Sequence, residues 1–242
     1  MPLIQDKPSK LASFSFEEKQ EIYQILSEFC TENKLSLFEK NIKNRTKHLT
    51  VVLEDIEHPH NASAVMRSCD CFGIQDLYIL EREHQFKVSP GPTSGAEKWI
   101  DYHRFGPRDG NNLSTLIATL KQEGYKIIAT MPHEQDCMVE DLDITEKTAL
   151  VFGTEHTGIS DEVIKHADGF VKMPMYGFTE SYNISVCAAL MLYATTAKMR
   201  TSDINWQLSP EEELDVKLRW QSMTIKKYDM LLDLAIKRLQ EK

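Results

Sequence analysis

Polar side chains gather in a few short stretches of this sequence, each placed directly after an apolar run. His58, His60 and Asn61 follow LTVVLED, with Arg67 two helical turns further on. Thr130 and His133 come after YKIIAT; Thr154, Glu155 and His156 after TALVFG; Tyr176, Gly177, Glu180, Ser181 and Asn183 after GFVKMPM. If the runs are strands of an open parallel sheet, their carboxyl ends share one edge, the edge at which such sheets bind ligands. An amide, a guanidinium, carboxylates and hydroxyls would then converge there. Each is also a residue type that caps helices and closes turns, so no single one identifies a site.

Several familiar chemistries are excluded. No G-x-G-x-x-G follows the first strand, which removes a dinucleotide site and the usual glycine-rich methyltransferase loop. There is no G-x-x-x-x-G-K-[ST], no H-x-x-x-H on a helix and no G-x-S-x-G, so P-loop, zinc-protease and nucleophile-elbow readings fall. The five cysteines, Cys30, Cys69, Cys71, Cys137 and Cys187, are an odd set. Only Cys69 and Cys71 are close, without a second ligand pair, and they read as reduced, packed thiols. Neither a disulfide nor a metal is expected.

The elements that must position these residues follow from periodicity. LTVVLED, DLYILE, YKIIAT, TALVFG and GFVKMPM are continuous apolar runs alternating with helical stretches. That pattern means a parallel sheet covered on both faces. ASAVMRSCDCF is a helix stopped by Gly73, and Asn112 opens LSTLIATLKQE, ended by Gly124. ISVCAALMLYATTAKM is apolar nearly all round, a helix buried on more than one side. Ser15 and Glu18 form a capping box before Ile22, Ile25, Leu26 and Phe29; Ser209, Pro210 and Glu212 open a last helical region that runs on through Leu232, Ala235, Ile236 and Leu239. The segment from Glu83 to Arg108 is rich in Pro and Gly and carries no clear element. The expected organisation is an N-terminal helical extension over 1–48, an α/β core over 49–200 and a C-terminal helical extension over 201–242.

Composition bounds the partners. The 242 residues carry a formal net charge of −9, which argues against a generic nucleic-acid binder. Charge is uneven, however: Lys40, Lys43, Arg45, Lys47 and His48 crowd one stretch, whereas Glu134, Asp136, Glu140, Asp141, Asp143 and Glu146 crowd another. No stretch has the length of a membrane span, and the N-terminus lacks the apolar region of a signal peptide, so a cytoplasmic protein is expected.

Three segments taken in order resemble the motifs of the SpoU (TrmH) branch of the SPOUT methyltransferases: NASAVMRSCDCFGI at 61–74, LVFGTEHTGIS at 150–160 and MPMYGFTESYNISVCAALMLYA at 173–194. The resemblance covers the whole core. It implies a C-terminal trefoil knot, a feature periodicity could not have revealed. It implies S-adenosylmethionine held in a bent shape, largely by backbone groups, at Thr130, Gly153, Met173 and Tyr182. Tyr182 departs from the pattern, since many relatives read S-L-N there. Arg67, Asn61, Glu155, Ser181 and Asn183 occupy the catalytic positions, and the expected reaction is methyl transfer to a ribose 2′-hydroxyl. A guanidinium stays protonated above about pH 12, so Arg67 would orient the hydroxyl or a substrate phosphate rather than act as a free base. The resemblance also implies a homodimer, with Val186, Leu190 and Tyr193 as contacts and each site built from both subunits.

The short terminal helices and the basic stretch before the first strand are similar to those of tRNA-modifying members, which methylate a D-loop guanosine. Lys40, Lys43, Arg45 and Lys47 are then the expected RNA contacts. Ribosomal RNA is the alternative substrate, and a catalytically silent RNA-binding paralogue the alternative function. Other SPOUT branches methylate bases, but with different motifs.

Overall fold

A computed structural model describes residues 10–106, 112–131 and 137–241. The chain divides into two units, Thr46–Trp206 and a second one formed by Met1–Arg45 together with Gln207–Lys242.

In the larger unit the apolar runs are strands: β1 (Leu49–Glu54), β2 (Asp76–Leu80), β3 (Asp101–Phe105), β4 (Lys126–Thr130), β5 (Cys137–Met138), β6 (Thr148–Phe152) and β7 (Gly169–Lys172). They form one all-parallel sheet in the order β3-β2-β1-β6-β4-β7-β5. The register sets Val51 beside Leu77 on one side and Leu150 on the other. Every residue of β1, β2 and β6 is buried, as strands covered on both faces must be. Alternate residues Val52, Ala149, Val151, Ile127 and Ala129 pack with Leu116, Ile117 and Leu120 of α5 (Leu113–Gln122). Elsewhere α3 (Pro59–Phe72) packs against α7 (Ile184–Arg200). Gly73 closes α3 in the left-handed region at φ 81°, where a side chain would be strained.

The segment without a clear sequence signal holds the short helix α4 (Pro90–Thr93), a 3-10 turn at Ala96–Lys98 and the edge strand β3. The acidic stretch carries the opposite edge strand, β5. Its carbonyls are tied to α7, for Lys198 Nζ donates to Glu140 O at 3.1 Å and Leu142 O at 2.6 Å.

The smaller unit is helical: α1 (Phe16–Ser27), α2 (Glu32–Ile42), α8 (Pro210–Thr224) and α9 (Tyr228–Gln240). Both predicted capping boxes form, Ser15 with Glu18 and Ser209 with Glu212. Ile22 and Leu26 from the N-terminal extension share a core with Leu214, Leu218, Leu232 and Ala235 from the C-terminal one. The last helical region is two helices rather than one, broken where Lys227 takes φ 58°. No helix among the described residues is long and apolar enough to cross a membrane.

Candidate active site

Strand β1 ends in two carboxylates that anchor the loops around it. Glu54, 2% exposed, accepts hydrogen bonds from N and Oγ of Ser160, the N-cap of α6 (Asp161–Ile164), at 3.0 and 2.6 Å and pairs with Arg82 at 3.2 Å. Asp55, at φ 51°, accepts from the backbone N–H groups of Arg82 and His84 at 2.7 and 2.9 Å and lies 3.0 Å from His84 Nδ1. Burial alone would raise the Asp55 pKa, but these hydrogen bonds outweigh it and hold the carboxyl below its ordinary value. The same contact raises His84. The sequence reading passed over this scaffold; its signal was an acidic pair closing an otherwise apolar strand.

The chain then enters α3 through His58 and Pro59, the latter at a position where its missing N–H costs nothing. Asn61, in the first turn, donates from Nδ2 to Glu155 Oε1 at 2.7 Å. Its own Oδ1 accepts from Asn183 Nδ2 at 3.3 Å. Asn183 is the N-cap of α7, its Oδ1 accepting from Ser185 N at 2.9 Å and Ser185 Oγ at 2.6 Å. One chain of amides and carboxylate thus ties together three segments far apart in sequence. The second Glu155 oxygen, Oε2, is buried with no hydrogen-bond partner among the described residues.

Glu155 rides on a tight hairpin after β6. Thr154 and Gly158 exchange backbone hydrogen bonds at 3.0 and 3.2 Å. A Cβ on Gly153 would stand 2.2 Å from the carbonyl of Gly158, so this closure demands glycine. Beside the hairpin opens a cavity of about 750 Å³ lined by Asp55, Glu57, Arg82, His84, His156 and Glu162 among others.

The remaining expected site residues fall as follows. Thr130, Gly153 and Met173 stand at the carboxyl ends of β4, β6 and β7, which are consecutive in the sheet. Tyr182 folds back, its Oη donating to Pro174 O at 3.0 Å. Ser181 is exposed beside Asn183. Arg67 is exposed on α3 without a partner among the described residues, and it does not join the Asn61–Glu155–Asn183 chain. His133 lies outside the described residues. The basic stretch divides: Lys40 and Lys43 are exposed, whereas Arg45 is 6% exposed with its guanidinium 5.5 Å from the Trp220 ring centre, and Lys47 pairs with Asp76 at 3.4 Å. All five cysteines are free thiols, and burial pushes Cys187 up to about 11. No group of three or more His, Cys, Asp or Glu is placed to hold a metal ion among the described residues.

This parallel sheet, with its conjunction of three loops at one edge, is that of a known class. Residues 48–193 match the model of the SpoU rRNA Methylase family, and the chain belongs to that family. Among curated relatives, it is 38% identical to the tRNA (guanosine(18)-2′-O)-methyltransferase of Borreliella burgdorferi, across 87% of this chain and 94% of that one. It is 34% identical to the enzyme of the same name from Thermus thermophilus, across 67% and 81%. Among solved structures, the A. aeolicus TrmH/SpoU tRNA modifying enzyme superposes with a TM-score of 0.72 at 29% identity, covering 81% of this chain and 98% of that one. AviRb from Streptomyces viridochromogenes, a SpoU methyltransferase in complex with the cofactor AdoMet, gives 0.56 at 25% identity, covering 67% and 65%.

Proposed function

We propose that this protein transfers a methyl group from S-adenosylmethionine to the ribose 2′-hydroxyl of a D-loop guanosine in tRNA, and acts in the cytoplasm as a homodimer. The observation that carries the reading is the hydrogen-bonded chain Asn183–Asn61–Glu155, which joins all three family motifs at one edge of the sheet. Relatives named for this reaction align over most of the chain.

The donor set fits the cofactor. Thr130, Gly153 and Met173 end adjacent strands, the setting in which backbone groups form a ligand crevice beyond a sheet's carboxyl edge, and Tyr182 lies in the loop that follows. When bound, the cofactor supplies a methyl carbon already activated as a sulfonium. What remains for the protein is to hold the 2′-oxygen in line and to stabilise its developing charge. Asn61 and Asn183 fix the ribose, and Ser181 and Glu155 brace the loops that carry it. Arg67 binds the hydroxyl or the neighbouring phosphate, and a phosphate oxygen accepts the proton, since the guanidinium stays charged.

Arg67 lies six residues past Asn61, roughly 9 Å along the helix and roughly 120° around it. This offset supports a composite site in which Arg67 comes from the other subunit. Val186, Leu190 and Tyr193 give α7 an apolar face 47%, 37% and 65% exposed, which supports the same assembly. The knot is supported by connectivity: after β7, on the far side of β4, the chain returns past the β6 hairpin to lay α7 against α3, the helix between β1 and β2.

The test is methyl transfer from labelled cofactor to total tRNA and, separately, to ribosomal RNA, with products digested to nucleosides and read by mass. The expected product is 2′-O-methylguanosine from tRNA. Methylation of ribosomal RNA alone, or cofactor binding without transfer to either, would overturn the reading.

A further inference from the structure

The site holds groups suited to a ribose and a phosphate, but a ribose arrives with its base attached. To be methylated in a folded RNA it must leave its stack, and an extruded base needs a surface for its π-face. The cavity beside the hairpin lends little, because no Phe, Tyr or Trp ring lines it among the described residues. The loop between β7 and α7 offers something different. Tyr176 and Phe178 are 97% and 109% exposed there, each projecting free of the protein surface. Gly177 separates them, with no heavy atom within 4 Å of where its Cβ would stand, so the pair has room on its outer side. The loop runs from Met173, at the cofactor crevice, to Ser181 and Asn183.

We infer that Tyr176 and Phe178 are the nucleobase platform of this enzyme, stacking on the base of the target nucleotide and its neighbour while Asn61 and Asn183 hold the ribose. The inference rests on the methyltransferase reading above. Stacking is the interaction single-stranded RNA makes with exposed aromatic rings, and it demands no shape complementarity from the rest of the loop. The rival occupant, a second copy of the chain, already has a better-shaped surface in the half-exposed ridge of Val186, Leu190 and Tyr193.

The decisive measurements are steady-state kinetics with tRNA and a fluorescence titration of a D-arm oligonucleotide carrying 2-aminopurine beside the target guanosine. Tyr176→Ala and Phe178→Ala are each expected to raise KM for tRNA and the oligonucleotide Kd on the order of 10-fold. They should also remove the quenching of 2-aminopurine that stacking causes. Tyr176→Phe and Phe178→Trp should restore both, and the affinity for S-adenosylmethionine should stay as in the wild type. An unchanged oligonucleotide Kd overturns the inference, and so does loss of self-association by sedimentation, which would assign the rings to the dimer. If the wild type methylates no RNA, the methyltransferase reading fails, yet the titration still decides whether the rings stack on bases.

Discussion

Two polar clusters lie at opposite ends of the same strands, and they are built in opposite ways. At the amino end of β2, Asp76 is 3% exposed, bonded to His103 Nε2 at 2.8 Å and paired with Lys47 at 3.4 Å. His103 stacks on Tyr78, whose Oη donates to Glu123 Oε2 at 2.6 Å. Asp76 Oδ2 makes no hydrogen bond among the described residues, but it is the oxygen that Lys47 pairs with. At the carboxyl end, the Asn183–Asn61–Glu155 chain stops short: Glu155 Oε2 has neither a hydrogen bond nor an ion pair among the described residues, and Ser181 stands exposed. A buried carboxylate oxygen with neither a hydrogen bond nor a cation beside it is costly, and a ligand would complete it. The closed cluster is architecture and the open one is the candidate site.

Four experiments would break or sharpen that contrast. Arg67→Ala removes an exposed charge that has no partner among the described residues, so kcat should fall on the order of 100- to 1000-fold with the melting temperature unchanged. Asp76→Ala strands Lys47 and His103 in the closed cluster and should cost about 3 kcal/mol in denaturant unfolding while kcat per folded molecule stays constant. An activity loss from Asp76→Ala, or a stability loss from Arg67→Ala, would merge the two clusters into one functional network.

Asn183→Ala touches both properties, because the residue caps α7 and also bonds Asn61. About 1 kcal/mol of stability should go with the cap, and about 5- to 10-fold in kcat with the hydrogen bond. Asn183→Asp keeps the cap but places a carboxylate against Asn61, and should recover stability without activity. The smallest effect is on pH. Burial lowers the His103 pKa, but the bond to Asp76 and its charge more than reverse this, so the folded value is raised. A raised folded pKa contributes stability that is full below about 6.5 and is lost as pH rises through the folded value. For Asp76 burial raises the pKa, yet His103 and Lys47 hold it low, so its contribution is present above about 4 and lost on acidification. Unfolding free energies between pH 6 and 9 should decline in the wild type, and His103→Gln should flatten that slope; an unaltered slope would take His103 out of the closed cluster's energetics.

The sequence made the open cluster easier to read than the closed one. Asn61, Glu155 and Asn183 each follow an apolar strand, and motif order tied them together. The strands β1, β2 and β6 were legible because burial on both faces leaves compact apolar runs, VVL, LYIL and ALVF. The edge strand β3 was not, since DYHRF alternates only weakly and mixes charge with aromatics, and β5 is two residues long. Asp76, His103 and Lys47 gave no pattern, because their meeting depends on which strands become neighbours. Arg45 reads as one more surface cation, yet the Trp220 ring, distant in sequence, takes it out of solvent. The break at Lys227 was invisible too, because lysine is a helix former and its type does not mark a left-handed residue.

The strand order has a consequence for synthesis. β6 lies between β1 and β4, although both precede it in the chain. As the nascent polypeptide leaves the ribosome, one edge of β1 therefore stays unpaired until β6 emerges, roughly 5 to 20 s later at ordinary elongation rates. β1, buried on both faces in the finished sheet, waits as an open template, the condition under which sheets recruit the wrong partner. A foreign strand there would occupy the very hydrogen bonds that β6 must make.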